Sequence, residues 1–251
     1  MIDLAALVWL GGVFVVMVPL KRWIVVHTRG VGLLLSGSRA VATWLYFFLF
    51  LPGIFLHELS HWLAATLLLV PVRRFAVWPK AKRRGDVQLG SVEVAAVDPF
   101  RHSLIGIAPL LGGSLVVWLI GRFLNLGELG RAFASGNVEI ILNAARTTLS
   151  TPDFWLWLYL LFAVSNAMLP SPSDREAWRS VLTFLGLLVV LLAGLGIAPP
   201  IPPGVRRATI DLIAFLAYTF SLAVAVDLFF MLVIALTEGI AGVVMQRRVH
   251  Y

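Results

Sequence analysis

Apolar residues run along this chain in long blocks separated by short polar or basic connectors. The first block covers residues 4–20 and stops at Lys21-Arg22, after which residues 21–39 read as a mixed connector. The second, residues 40–70, is interrupted only by Pro52-Gly53, His57-Glu58 and His61. At about 1.5 Å per helical residue it is longer than a bilayer core is thick, so tilt or a kink at Pro52 is expected. Residues 71–101 turn basic, and 75–78 and 87–97 predict two short strands around an Arg84-Gly85-Asp86 turn. A third block, residues 103–124, carries Gly106, Gly112, Gly113 and Gly121, as suits helices that pack closely in lipid. Residues 125–150 are polar and predict a short surface helix. The fourth block, residues 154–169, opens on Trp155, Trp157 and Tyr159, an aromatic belt at a membrane interface. A fifth block at 181–197, a proline-rich turn at 199–203 and a sixth block at 210–236 complete the pattern.

Composition narrows the class. Of 251 residues, 60% are hydrophobic and 13% charged, and the mean hydropathy is +0.93. Soluble domains run near 45–50% apolar and about 25% charged. An ordinary globular domain is excluded, and so is a disordered chain, which would be poor in apolar residues. The expected fold is an all-α polytopic membrane protein, a single integral domain over 1–251. It has about six transmembrane helices and a small β-hairpin insert after the second. The net charge of +7 comes from Lys and Arg beside the apolar blocks, where they anchor helices against membrane lipid. No folded basic face is present, so nucleic acid is not an expected partner. Cysteine is absent, which removes disulfides, thiolate metal sites and cysteine nucleophiles.

The chemistry concentrates in His57-Glu58-Leu59-Ser60-His61, an HExxH motif inside the second block. Residues four apart share a helix face, so both imidazoles can ligate one metal ion. Glu58 lies beside the pair and can accept a proton from metal-bound water. Ionisable groups at mid-helix are costly in lipid unless they face a cavity, a partner or a metal. A third ligand must come from Asp174, Glu176, Asp211, Asp227, His27, His102 or His250. Asp174 stands out because Pro170 and Pro172 prevent regular helix before it, which lets the segment turn back toward the bundle interior. Asp227, deep in the sixth block, reads as a helix–helix hydrogen bond, with a fourth metal ligand as the alternative.

Taken together, HExxH in one helix and Asn166-x-x-Pro170-x-Pro172-x-x-Asp174 at the end of a later one resemble the site-2 protease family of intramembrane zinc metalloproteases. The resemblance implies core helices at about 40–70, 102–124 and 153–172, a hairpin insert at 72–98, and accessory helices at 4–20, 181–197 and 208–236. It implies that His57, His61 and Asp174 bind one zinc ion per chain and that Glu58 is the general base. Asn166 would help position substrate or stabilise the oxyanion. The implied activity is zinc metalloendopeptidase cleavage within or next to transmembrane segments of protein or peptide substrates, in a prokaryotic cell membrane. The alternative is a catalytically silent zinc-containing scaffold that binds client helices. Two departures mark a divergent, minimal member: Arg175 follows Asp174 where the family has Gly, and residues 107–112 lack the family's third-helix Asn. The residues 74–97 hairpin reads as a strand for β-augmentation by an unwound substrate or as a basic loop on lipid headgroups.

Overall fold

The structure, a computed structural model, describes residues 4–81, 87–88, 90–196, 202–247 and 249. The Arg84-Gly85-Asp86 turn, most of the 199–203 turn and His250 lie outside these residues. Among the described residues, eight helices and two small antiparallel ladders follow in order: α1 (Leu4–Ser36), α2 (Arg39–Leu67), β1 (Val72–Ala76), β2 (Lys80–Ala81), β3 (Val87–Gln88), β4 (Ser91–Val94), α3 (Pro99–Phe123), α4 (Leu126–Ser135), α5 (Val138–Leu149), α6 (Phe154–Ala167), α7 (Glu176–Gly194) and α8 (Pro203–Val244). β1 pairs with β4 (Phe75 opposite Val92) and β2 with β3 (Lys80 opposite Gln88), so the insert is a hairpin, as expected.

Among the described residues, α1, α2, α3 and α8 are long and apolar enough to cross a membrane. The fold is thus mainly helical and of the membrane type, but six spans are not shown. α6 has 14 residues, about 21 Å of helix against a hydrocarbon core of about 30 Å. Helix directions also depart from a six-span alternation, which would set the first and last helices antiparallel. α1 and α8 run parallel, joined by Trp9 Nε1 donating to Ser221 Oγ (2.9 Å) and by the His27–Glu238 pair (2.6 Å).

Three boundaries differ from the hydropathy reading. The 21–39 connector is largely helix, because α1 continues to Ser36 with Lys21 buried inside the bundle. The polar stretch at 125–150 holds two helices, since Gly136 takes a left-handed conformation (φ 65°) to end α4 and Asn137 Oδ1 caps α5. α8 starts early, at the Pro202-Pro203 entry, where proline suits a first helical turn.

The core sits where α1, α2, α3, α6 and α8 meet. Phe50 of α2 packs on Phe162 of α6 (centroids 5.3 Å), and Phe162 stacks on Phe230 of α8 (4.0 Å). Close approach of α2 and α6 needs Gly53, because a Cβ there would collide with the Ala163 carbonyl. Gly106 of α3 plays the same part against the backbone of Asp174. These two contacts bring the HExxH helix, α3 and the segment after α6 to one place.

Candidate metal centre

α2 and α6 run parallel, with Tyr159 Oη donating to Leu49 O (2.8 Å) and, further along, His57 Nδ1 donating to Ala167 O (2.7 Å). α6 stops at Ala167 because Pro170 and Pro172 follow. The last carbonyls of a helix lack intrahelical donors, and that of Ala167 is taken up by His57. A second freed carbonyl serves His61. Pro109 lies inside α3 and has no N–H, so the carbonyl four residues before it loses its helical partner. That carbonyl belongs to Ile105, and His61 Nδ1 donates to it at 2.8 Å.

With Nδ1 of each ring donating to a carbonyl, the neutral imidazoles carry bare Nε2 lone pairs. Those nitrogens stand 3.2 Å apart. Asp174 completes the group, with Oδ1 3.2 Å from His61 Nε2 and Oδ2 3.5 Å from His57 Nε2. Its carboxylate is fixed in turn by the backbone N–H of Ser171 (2.7 Å to Oδ2), and Ser171 Oγ accepts from the Asp174 N–H (3.3 Å). Three electron-pair donors facing one another repel unless a cation or proton lies among them. Around a tetrahedral zinc with bonds of about 2.0–2.1 Å, neighbouring donor atoms stand about 3.3–3.4 Å apart. The observed spacings fall around that value, so the donor set fits such an ion. Two imidazole nitrogens and one carboxylate form a donor set that suits a divalent transition metal.

Glu58, one residue from His57, is buried and lines the same cavity of about 550 Å³. Gly90 presses its backbone against this carboxylate, and a Cβ there would come within 2.5 Å of Oε1. Ser91, Val92 and Val94 of β4 line the cavity together with His102, Asn166 and the 171–174 turn. Arg175 is exposed and its Nε donates to Ser171 O (3.4 Å), so its bulk stays out of the donor group.

Among the described residues, the group that can hold a metal is His57, His61 and Asp174. The other candidates, His27, His102, Glu176, Asp211 and Asp227, do not join it. His27 pairs instead with Glu238, and Asp227 makes helix–helix hydrogen bonds to Ser165 Oγ (3.1 Å) and Asn166 Nδ2 (2.8 Å). Asn166 also donates to Phe162 O (2.9 Å), so both of its N–H groups are engaged. An oxyanion role for Asn166 would require one of them to be released. Reading the sequence for side chains missed the Ile105 carbonyl as a support for His61. Pro109 was the available signal, because every internal proline frees a carbonyl at a known offset. Compared with known proteins, the chain matches no protein-family model, no curated protein and no solved structure.

Proposed function

We propose that this protein is an intramembrane zinc metalloendopeptidase that hydrolyses peptide bonds within or next to membrane-spanning segments of its substrates. The observation that carries the reading is the donor triangle of His57 Nε2, His61 Nε2 and Asp174, with edges of 3.2–3.5 Å, set beside Glu58 in a cavity among apolar helices. A bound zinc ion would supply Lewis acidity and lower the pKa of a coordinated water. Glu58 takes the proton from the attacking water and returns it to the departing amide nitrogen as the C–N bond breaks. The Ala167 and Ile105 carbonyls keep the rings turned so that Nε2 is the ligating atom. β4 pairs only with β1 among the described strands, which leaves its other edge for an extended substrate strand.

The helix directions support a path in which α6, the 168–175 turn and α7 share one passage past the site. Together with α1, α2, α3 and α8 this gives five crossings and a parallel first and last helix.

Metal analysis of purified protein with His61→Ala and Asp174→Ala tests the centre, and Glu58→Gln against single-pass substrates tests the activity. Wild type should hold one zinc and cleave, both ligand variants should lose the metal, and Glu58→Gln should keep it while losing cleavage. Stoichiometric zinc retained by both ligand variants would overturn the assignment. Zinc bound by a wild type that cleaves nothing would instead favour the client-binding scaffold.

A further inference from the structure

Asp227 is fully buried on α8, remote in sequence from the HExxH helix, yet it touches a residue that lines the cavity. Its Oδ1 accepts from Asn166 Nδ2 (2.8 Å) and from Ser165 Oγ (3.1 Å). Lys21 of α1, also buried, lies within electrostatic reach of the same carboxylate. The second N–H of Asn166 goes to Phe162 O (2.9 Å). Two acceptors therefore hold the amide nitrogen, and they fix which way the amide faces. The atom left over is Asn166 Oδ1, which is buried and has no hydrogen-bond partner. A buried acceptor without a donor is destabilising, and in a cavity wall it marks a place where a ligand donor is wanted.

We propose that Asp227 is a positioning residue of the site: it holds the Asn166 amide so that Oδ1 accepts a backbone N–H of the bound substrate. This rests on the peptidase reading and assigns to an accessory helix, α8, a part in substrate binding. Asn166 would then act on the substrate strand rather than on the oxyanion. The two roles differ in kinetics. A hydrogen bond made equally in ground state and transition state sets KM, whereas an oxyanion contact sets kcat.

The test uses full-length protein in detergent micelles, with Asp227→Leu, Asp227→Asn and Asn166→Leu. Zinc content checks that each variant is folded. Asp227→Leu should raise KM on the order of tenfold to a hundredfold while kcat changes little, and Asp227→Asn, which can still accept from Asn166, should recover most of that loss. In the Asn166→Leu background, Asp227→Leu should add nothing further. A second readout needs no substrate. With asparagine side chains labelled with nitrogen-15, the Asn166 amide protons should be protected from exchange in wild type and Asp227→Asn, and unprotected in Asp227→Leu. Equal exchange in wild type and Asp227→Leu would overturn the positioning role, and so would a fall in kcat at constant KM. A chain that cleaves no substrate would overturn the peptidase reading, while protection lost in Asp227→Leu would still support the positioning of Asn166.

Discussion

The bundle buries two clusters of ionisable groups, one lining the cavity and one linked to its wall through Asn166, and their charges are met in different ways. Around Asp227, the chain supplies its own compensation: Lys21 from α1 as the cation, Ser165 and Asn166 from α6 as donors. Around His57, His61 and Asp174, every polar atom turned inward is an electron-pair donor, and the N–H groups of the rings are spent on Ala167 and Ile105. No Lys or Arg belongs to that second group among the described residues. The first cluster holds its own cation and donors, although Asp227 Oδ2, Lys21 Nζ and Asn166 Oδ1 make no hydrogen bond, whereas the second is a group that could hold a cation from outside. Where charge is kept in an apolar bundle, the origin of the counter-charge thus separates a structural polar cluster from a metal site.

Removing the outside cation should produce the largest effect. Asp174→Ala and His61→Ala are expected to drop zinc from one per chain to none, read by elemental analysis. Added zinc at about 100 times its Kd should raise wild-type stability by about 2.7 kcal/mol and leave Asp174→Ala unmoved. If Asp227→Asn lost zinc as well, the two clusters would be a single unit and the contrast would fail.

Next in size is the base. Glu58→Gln should retain the metal, because Glu58 is not in the donor triangle, and should lower kcat by about 10²–10⁴. Cleavage of a single-pass substrate followed over time measures this directly. A metal-loaded Glu58→Gln protein with wild-type turnover would remove Glu58 from the chemistry.

How far each cluster can be read from the sequence follows from the same difference. The HExxH pair is legible because a four-residue spacing fixes a shared face, and Asp174 is legible because two prolines announce a broken helix before it. The Lys21–Asp227 relation is not legible, since nothing local links residues so far apart. For that reason Lys21-Arg22 resembles a helix end, although α1 continues to Ser36. Apolar runs place the middle blocks within a few residues, fall well short of the extent of α1 and α8, and cannot direct any of them. The parallel α1–α8 and α2–α6 pairs emerge only from contacts. The division of 125–150 into two helices was available from Gly136-Asn137, a left-handed stop followed by a capping residue.

Breaking the internal pair should have a moderate effect on stability and none on metal content. Lys21→Met removes the buried cation that acts on the Asp227 carboxylate. Because the two make no direct ion pair, the loss should stay below the cost of a broken buried salt bridge, about 3–5 kcal/mol. The double variant Lys21→Met/Asp227→Asn removes both charges and should recover most of that loss, as measured by thermal unfolding in micelles. If the two single changes simply add, Lys21 and Asp227 are not coupled.

The smallest expected effect concerns a charge that water, rather than the chain or a metal, compensates. Asp98 lies in the solvated approach to α3, where its Oδ1 caps the helix by accepting from the N–H groups of Phe100 (3.1 Å) and Arg101 (3.0 Å). The Arg101 N–H, with the guanidinium of the same residue adding to it, holds the Asp98 carboxyl below its ordinary value. A carboxyl lowered on folding adds stability above its unfolded pKa, and that contribution is lost as pH falls through the folded value. Asp98→Ala should therefore lower the melting temperature slightly at neutral pH, by an amount that shrinks toward acid. Asp98→Asn, which keeps a capping oxygen and does not titrate, should flatten this dependence. Zinc content at neutral pH should be unchanged in both, because the cap acts on the entry to α3 and the Ile105 carbonyl is freed by Pro109. Zinc lost on removal of the cap alone would mean that the position of α3, and through it the ring of His61, depends on that first turn.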